Sequence, residues 1–213
     1  MSNILVFGDS ITWGANDWEK GGWVEHLKVY LGKNYDSIVY NLGIDGEKTP
    51  TLLARFEPEI KPRTEEGLET IIIFAVGIND SYFVHSKNDN VIKFEDFKKN
   101  IENLIVLARK FSSKIIFIGL TPVDETETTP IPWDADKSYK NEYVKKYNDF
   151  ISYICKDKNI FFIDILNDWL KKDYKILLDD GLHPNSKGHE KIFETVKEYL
   201  IQNKIINPSS RPV

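Results

Sequence analysis

Ile4-Leu5-Val6-Phe7-Gly8-Asp9-Ser10 is the stretch that decides the fold. Four apolar side chains without alternation read as a strand covered on both faces, and the Gly-Asp-Ser that follows ends it in a turn. The same pattern recurs at 37–41, 70–76, 114–120 and 160–163, each run rich in Ile, Val or Phe. Between the runs lie helical periodicities. Trp23, Val24, Leu27, Tyr30 and Leu31 share one stripe, which Gly32 is expected to close. Residues 49–66 contain Pro58 and Pro62 and are expected to be broken or irregular. Phe94, Phe97, Ile101, Leu104, Ala108 and Phe111 mark a third helix. Tyr143, Tyr147, Phe150, Ile151 and Ile154 mark a fourth over about 137–156. Ile192, Phe193, Val196 and Leu200 mark the last, over about 186–201. Strand and helix in alternation predict an α/β fold, a parallel sheet with right-handed crossovers and helices on both faces. Its ligand site then lies beyond the carboxyl ends of the strands.

The chain has 213 residues, which suits one domain, expected over 1–203. Residues 204–213 are expected to form a flexible tail, frayed over 207–213 with its two prolines and two serines. A net charge of −5 supplies no basic field to gather nucleic acid. The longest apolar run, 71–76, is too short to span a bilayer. Cys155 is the single cysteine, which excludes an intrachain disulfide and fits a reducing compartment. The chain opens Met-Ser-Asn and enters its first strand without a basic or long apolar leader, so a cytoplasmic protein is expected.

Polar, glycine-bearing clusters follow three of the strands: Gly8-Asp9-Ser10-Ile11-Thr12, then Asn41-Leu42-Gly43-Ile44-Asp45-Gly46, then Gly77-Ile78-Asn79-Asp80. A fourth, Asp180-Gly181-Leu182-His183-Pro184, precedes the last helix. Their joint placement suits acyl transfer. A serine hydroxyl needs a neighbouring base, and imidazole works near neutral pH. Of four histidines, His183 sits in a turn that can aim its ring, and Asp180 three residues earlier can reach the other ring nitrogen. The Ser10 N–H, the Gly43 N–H and the Asn79 side-chain amide can supply donors to an oxyanion. Each cluster alone also reads as a capping or turn motif. Asp9 and Asp80 read as hydrogen-bonding scaffolds for their loops. His26 is read on the polar side of the first helix, and neither it nor His189 is expected to react. His85 can face the site.

These four segments, in this order over residues 8–183, resemble the SGNH hydrolases, or GDSL lipase/esterase family. The resemblance implies a three-layer α/β/α sandwich on a five-stranded parallel sheet of flavodoxin-like order. It implies Ser10 as nucleophile and first oxyanion donor, Gly43 as the second and Asn79 as the third. It further implies His183 as general base and Asp180 as its orienting acid. Ile11 replaces the leucine of the family's name, one apolar residue for another. The family spans esterases, thioesterases, lysophospholipases and carbohydrate deacetylases.

Aromatic residues gather near the expected site: Trp13 and Trp18 after the serine, Tyr82 and Phe83 after the asparagine, and Trp133. Of these Trp13, Tyr82 and Trp133 are the candidate substrate contacts. The loop 121–136, acidic and stiffened by Pro122, Pro130 and Pro132, is a candidate wall or lid. The expectation is a serine esterase acting on a short-chain acyl ester, such as an O-acetyl sugar, without cofactor or metal. A thioesterase or lysophospholipase is the alternative within the family. A flavin- or nucleotide-binding module on the same sheet is a rival, but the acidic residues after Ser10 suit no phosphate and no P-loop pattern is present. A metal-dependent hydrolase using Asp9, Asp80, Asp180 and His183 is another, and a catalytically dead partner-binding domain a third.

Overall fold

In the computed structural model, which describes residues 2–206, Ser2–Gly8 forms β1 with all seven residues buried. It pairs in parallel with β2 (Ser37–Gly43) on one side and β3 (Glu69–Ala75) on the other. β3 continues to β6 (Lys114–Ile118), and β6 to β8 (Phe161–Ile163), again in parallel. The order β2-β1-β3-β6-β8 is the flavodoxin-like order of a doubly wound sheet. Register puts Gly8 beside both Gly43 and Ala75, so the strands end together along one edge.

The helices fall into two groups. α2 (Trp23–Asn34) packs on α9 (Ser186–Gln202), while α3 (Thr49–Ile60) packs on α5 (Phe94–Ala108), which meets α7 (Asn141–Asp157). Phe7, Phe56, Phe74, Phe97 and Phe117 are completely buried between the layers. Each such side chain stabilises the fold by about 1.5–3 kcal/mol. Cys155 is buried in α7, and no helix among the described residues is long and apolar enough to cross a membrane.

Some boundaries differ from those expected. α2 runs through Gly32 to Asn34, because burial of Leu27 and Leu31 outweighs the roughly 1 kcal/mol a mid-helix glycine costs. α3 contains Pro58 without breaking, and a 3₁₀ turn over Lys61–Arg63 takes up Pro62. α7 starts at Asn141 rather than 137, since Lys137–Ser138 is instead a short strand, β7. β7 and β5 (Asp89–Asn90) flank β4 (Phe83–Val84) in a small antiparallel sheet. Two-residue strands carry no period, so nothing in the sequence announced them. Ile205 and Ile206 are buried, so the tail expected from 204 cannot begin before 207, and 207–213 lie outside the described residues.

Candidate active site

The site is built where the strand ends converge. β1 runs into a single helical turn, α1 (Ser10–Trp13), which Asp9 caps by accepting the Ile11 N–H at 3.0 Å. Ser10 is therefore the first residue of a helix. Its Oγ lies 3.0 Å from His183 Nε2, across 173 residues of chain. On the far side of the ring, His183 Nδ1 lies 2.7 Å from Asp180 Oδ2. The other oxygen of Asp180 accepts the backbone N–H groups of Leu182 and His183, which locks the turn and aims the ring.

Burial raises the Asp180 carboxyl, but the ring and N–H of His183 outweigh it and hold the group at about 2. Burial also disfavours the imidazolium of His183, yet Asp180 prevails and raises that ring above its ordinary value. A neutral imidazole whose proton affinity is raised in this way by its partner is a stronger base toward a hydroxyl proton.

Asn79 lies in a second helical turn, α4 (Ile78–Ser81), after β3. Its Oδ1 accepts the hydroxyl of Tyr139 at 2.7 Å. That leaves the Asn79 Nδ2 buried with no hydrogen-bond partner among the described residues. An unpaired buried donor costs about 1–3 kcal/mol, and Asn79 is one of the residues that line the cleft holding Ser10. Asp80 turns the other way. It accepts the Thr49 hydroxyl at 2.5 Å and its N–H at 3.0 Å, tying the Asn79 turn to the start of α3. Burial pushes Asp80 up to about 6, opposed by the hydroxyl and N–H of Thr49, and Asp9 up to about 7, opposed by the N–H of Ile11. Both act as the loop scaffolds read from the sequence.

Ser10, Asn79 and His183 line one cleft of about 410 Å³. Tyr82 and Trp133, two of the expected aromatic residues, line it as well. Lys48 and Lys137 place their ammonium groups 5.9 and 5.6 Å from the Tyr82 ring centroid. Part of the loop 121–136 is a wall, contributing Ile131 and Trp133, while Asp45, Gly46, Tyr139 and Leu182 complete the lining.

Two residues expected at the site are not among those that line this cleft. Gly43 does not line the cleft: its N–H is donated to Asn41 Oδ1 at 3.1 Å. Its glycine character serves packing, since a Cβ there would lie 2.3 Å from the Trp13 nitrogen. Gly46, three residues on, lines the cleft instead, with φ +68°. The N–H groups of Gly46 and Ser10 have no acceptor among the described residues. Trp13 is likewise absent from the lining; α1 carries it outward, half exposed. His85 turns to the Ser138 hydroxyl at 2.8 Å rather than to the cleft. Sequence reasoning missed Tyr139, a single tyrosine among lysines with no motif around it.

Among the described residues no three His, Cys, Asp or Glu side chains are grouped to hold a metal ion. The hydrogen-bonded series from Ser10 through His183 to Asp180 is an arrangement that can relay a proton.

The model of the GDSL-like Lipase/Acylhydrolase family matches residues 6–191. The chain is similar to the human isoamyl acetate-hydrolyzing esterase 1 homolog, at 26% identity over 95% of this chain and 82% of that one. In structure it is similar to a lipase/acylhydrolase from Enterococcus faecalis, with a TM-score of 0.77 and 21% identity over 99% of this chain and 100% of that one. It is also similar to an acetylxylan esterase from Geobacillus stearothermophilus, with a TM-score of 0.70 and 20% identity over 92% and 93% of the two chains. With a family match running from β1 into α9, this chain belongs to the GDSL-like lipase/acylhydrolase family, a family of ester hydrolases.

Proposed function

We propose that the chain hydrolyses short-chain acyl esters, acetyl esters of sugars or other polar alcohols first among them, through an acyl-enzyme on Ser10. The observation that carries this reading is the hydrogen-bonded series Ser10 Oγ, His183 Nε2, His183 Nδ1, Asp180 Oδ2, with steps of 3.0 and 2.7 Å. His183 Nε2 takes the Ser10 proton as Oγ bonds to the ester carbonyl carbon. The carbonyl oxygen becomes an oxyanion. Ser10 N–H, Gly46 N–H and Asn79 Nδ2 receive it, with Gly46 in the place expected for Gly43. When the tetrahedral carbon collapses, the C–O bond to the alcohol breaks and His183 returns its proton to that oxygen. Water, deprotonated by His183, then attacks the acyl-enzyme, and the acid leaves as Ser10 recovers its proton. Asp180 stays ionised throughout and holds the ring in the needed tautomer.

The short acyl group is supported by the cleft wall, where among the described residues Ile131 and Leu182 are the aliphatic side chains, set among polar, charged and aromatic ones. A long acyl chain needs an apolar channel. The two relatives named for acetyl esters, the isoamyl acetate-hydrolyzing and acetylxylan esterases, favour the same reading. The Geobacillus enzyme has also been solved as catalytic mutants in which an aspartate, or a histidine three residues farther on, is alanine. Asp180 and His183 have that spacing. The compartment proposed is the cytoplasm, which suits a lone thiol whose burial pushes it up to about 12 and keeps it inert.

The test is a fluorophosphonate probe followed by intact mass and peptide mapping. One adduct, on Ser10, is expected; an unlabelled protein would overturn the reading. Esters of graded acyl length should then show rates falling beyond butyryl, and a rate rising to decanoyl would refute the short-chain assignment. For Asn79→Ala, loss of one oxyanion donor should lower kcat about 10²–10³-fold. Steady-state rates on an acetyl ester check it, and a loss below threefold would remove Asn79 from the donor set.

A further inference from the structure

Ser10 and His183 belong to segments far apart in sequence, and their contact depends on how those segments are held together. A second set of buried polar groups joins the same two segments behind the site. Asp17, seven residues after Ser10, is 1% exposed. Its Oδ1 accepts the hydroxyl of Ser186 at 2.7 Å, and its Oδ2 accepts the N–H of Gly22 at 3.1 Å. Ser186 begins α9, three residues after His183. One turn on, His189 is fully buried, with its Nε2 2.8 Å from the carbonyl oxygen of Ala15. Its Nδ1 accepts the N–H of Trp23 at 3.3 Å. A ring that donates at Nε2 and accepts at Nδ1 is neutral, and burial lowers this imidazole below its ordinary value.

From this geometry we infer that Asp17, Ser186 and His189 form a clamp that sets the separation of Ser10 Oγ and His183 Nε2, making them positioning residues for the proton transfer. The inference rests on the Ser10 reading above. Two features favour a clamp over simple packing. Its bonds run from one catalytic segment to the other rather than within either. They are also carried by polar atoms of the buried Asp17 and His189 and the half-buried Ser186, whose directional contacts hold a geometry more narrowly than apolar packing does. Asp17 in addition organises its own loop through Gly22, and His26 Nε2 lies 3.3 Å from its Oδ2, so His26 faces this cluster rather than only solvent. Its ring also meets Phe193 of α9 at 5.5 Å. Displacing one segment lengthens the Ser10–His183 bond, while most of the cleft lining, carried by other segments, stays in place. The expected signature is a loss in kcat at nearly constant KM.

The test uses three variants of the full chain: His189→Leu, which removes both bonds at similar volume; His189→Gln, whose amide can accept and donate; and Ser186→Ala, which removes the Asp17 tie but leaves the Asn185 cap of α9. Active sites are titrated with the fluorophosphonate probe, and kcat and KM are measured with p-nitrophenyl acetate per titrated site. A shift of about 1 Å at a reacting pair costs on the order of 100-fold, so His189→Leu should lose about 10- to 100-fold in kcat with KM within about twofold. His189→Gln should recover most of it, and Ser186→Ala should lose about three- to tenfold by the same reasoning. Should His189→Leu fail to fold, Ser186→Ala decides. Full kcat per titrated site in the folded variants, whatever their melting temperatures, would overturn the clamp and leave the Ser10 reading intact. A parent protein that takes no adduct on Ser10 would overturn both.

Discussion

Ser10→Ala is expected to lower ester turnover by roughly 10⁴-fold or more while the fold persists, since a catalytic unit that loses its nucleophile retains only the binding and oxyanion contributions. Ser10 is small and sits at the first position of a helical turn, which alanine accepts readily. Among the described residues the side-chain bond lost is the one to His183, about 0.5–1.5 kcal/mol net. Thermal melting should therefore move by only a few degrees, about 2–4 °C per kcal/mol for a chain of this size. Initial rates on p-nitrophenyl acetate and a melting curve measure both quantities. A variant within tenfold of the parent would show that another group is the nucleophile.

The second large effect is expected from Asp180→Asn. Its Oδ1 can still accept the N–H groups of Leu182 and His183, so the turn should survive. What changes is the ring. An amide in place of Oδ2 can donate to Nδ1, which leaves the proton on Nε2, the atom that must take a proton from Ser10. Loss of the orienting carboxylate should lower kcat/KM by about 10²–10⁴-fold. The pH profile should move too, and its sign follows from the ring. His183 works as a base only when neutral, so activity is lost as pH falls through its pKa. Asp180 holds that pKa above its ordinary 6.5, so the acid limb of the parent lies above that value. Without the carboxylate the burial of the ring remains and lowers it, and the limb moves to more acid pH. A pH–rate profile of kcat/KM for both proteins tests this, and an unmoved limb would mean that Asp180 does not govern the base.

The two effects separate chemistry from support. In the proposed mechanism Ser10 and His183 handle bonds and protons, while Asp180, Tyr139 and the Asp17–Ser186–His189 set hold groups in place. Tyr139 illustrates the second kind. It takes the oxygen of Asn79, and in the proposed mechanism the unpaired Nδ2 then serves the oxyanion.

Much of this was legible in the residues. Continuous apolar runs such as 4–7 and 70–76 have to be covered on both faces, and a strand ended by Gly-Asp-Ser presents its polar group at a predictable edge. Asp180 and His183 are three residues apart, and so short a turn can hardly avoid bringing them together. The helices over 94–108 and 186–202 announced themselves by their period. Gly43 shows the limit. A glycine in a polar cluster after a strand can serve backbone approach to a ligand or backbone approach to a neighbouring element, and composition does not distinguish them. The packing of α1 against the end of β2 claims Gly43, and the turn that follows delivers Gly46 to the cleft. Trp13 lies off the cleft lining for a related reason: closeness to Ser10 in sequence says nothing about which face of a one-turn helix an indole leaves by.

The sequence by itself thus determined the strand order's raw material, the reactive residue types and their short-range pairings, because these depend on local periodicity and on contacts a few residues apart. Which backbone N–H faces the cleft, which tyrosine orients Asn79, and how residues 17, 186 and 189 come together were decided only by the tertiary structure. Those contacts join segments up to 174 residues apart. Their geometry is set by how two helical layers settle on one sheet, a collective outcome of packing that no single stretch of chain encodes.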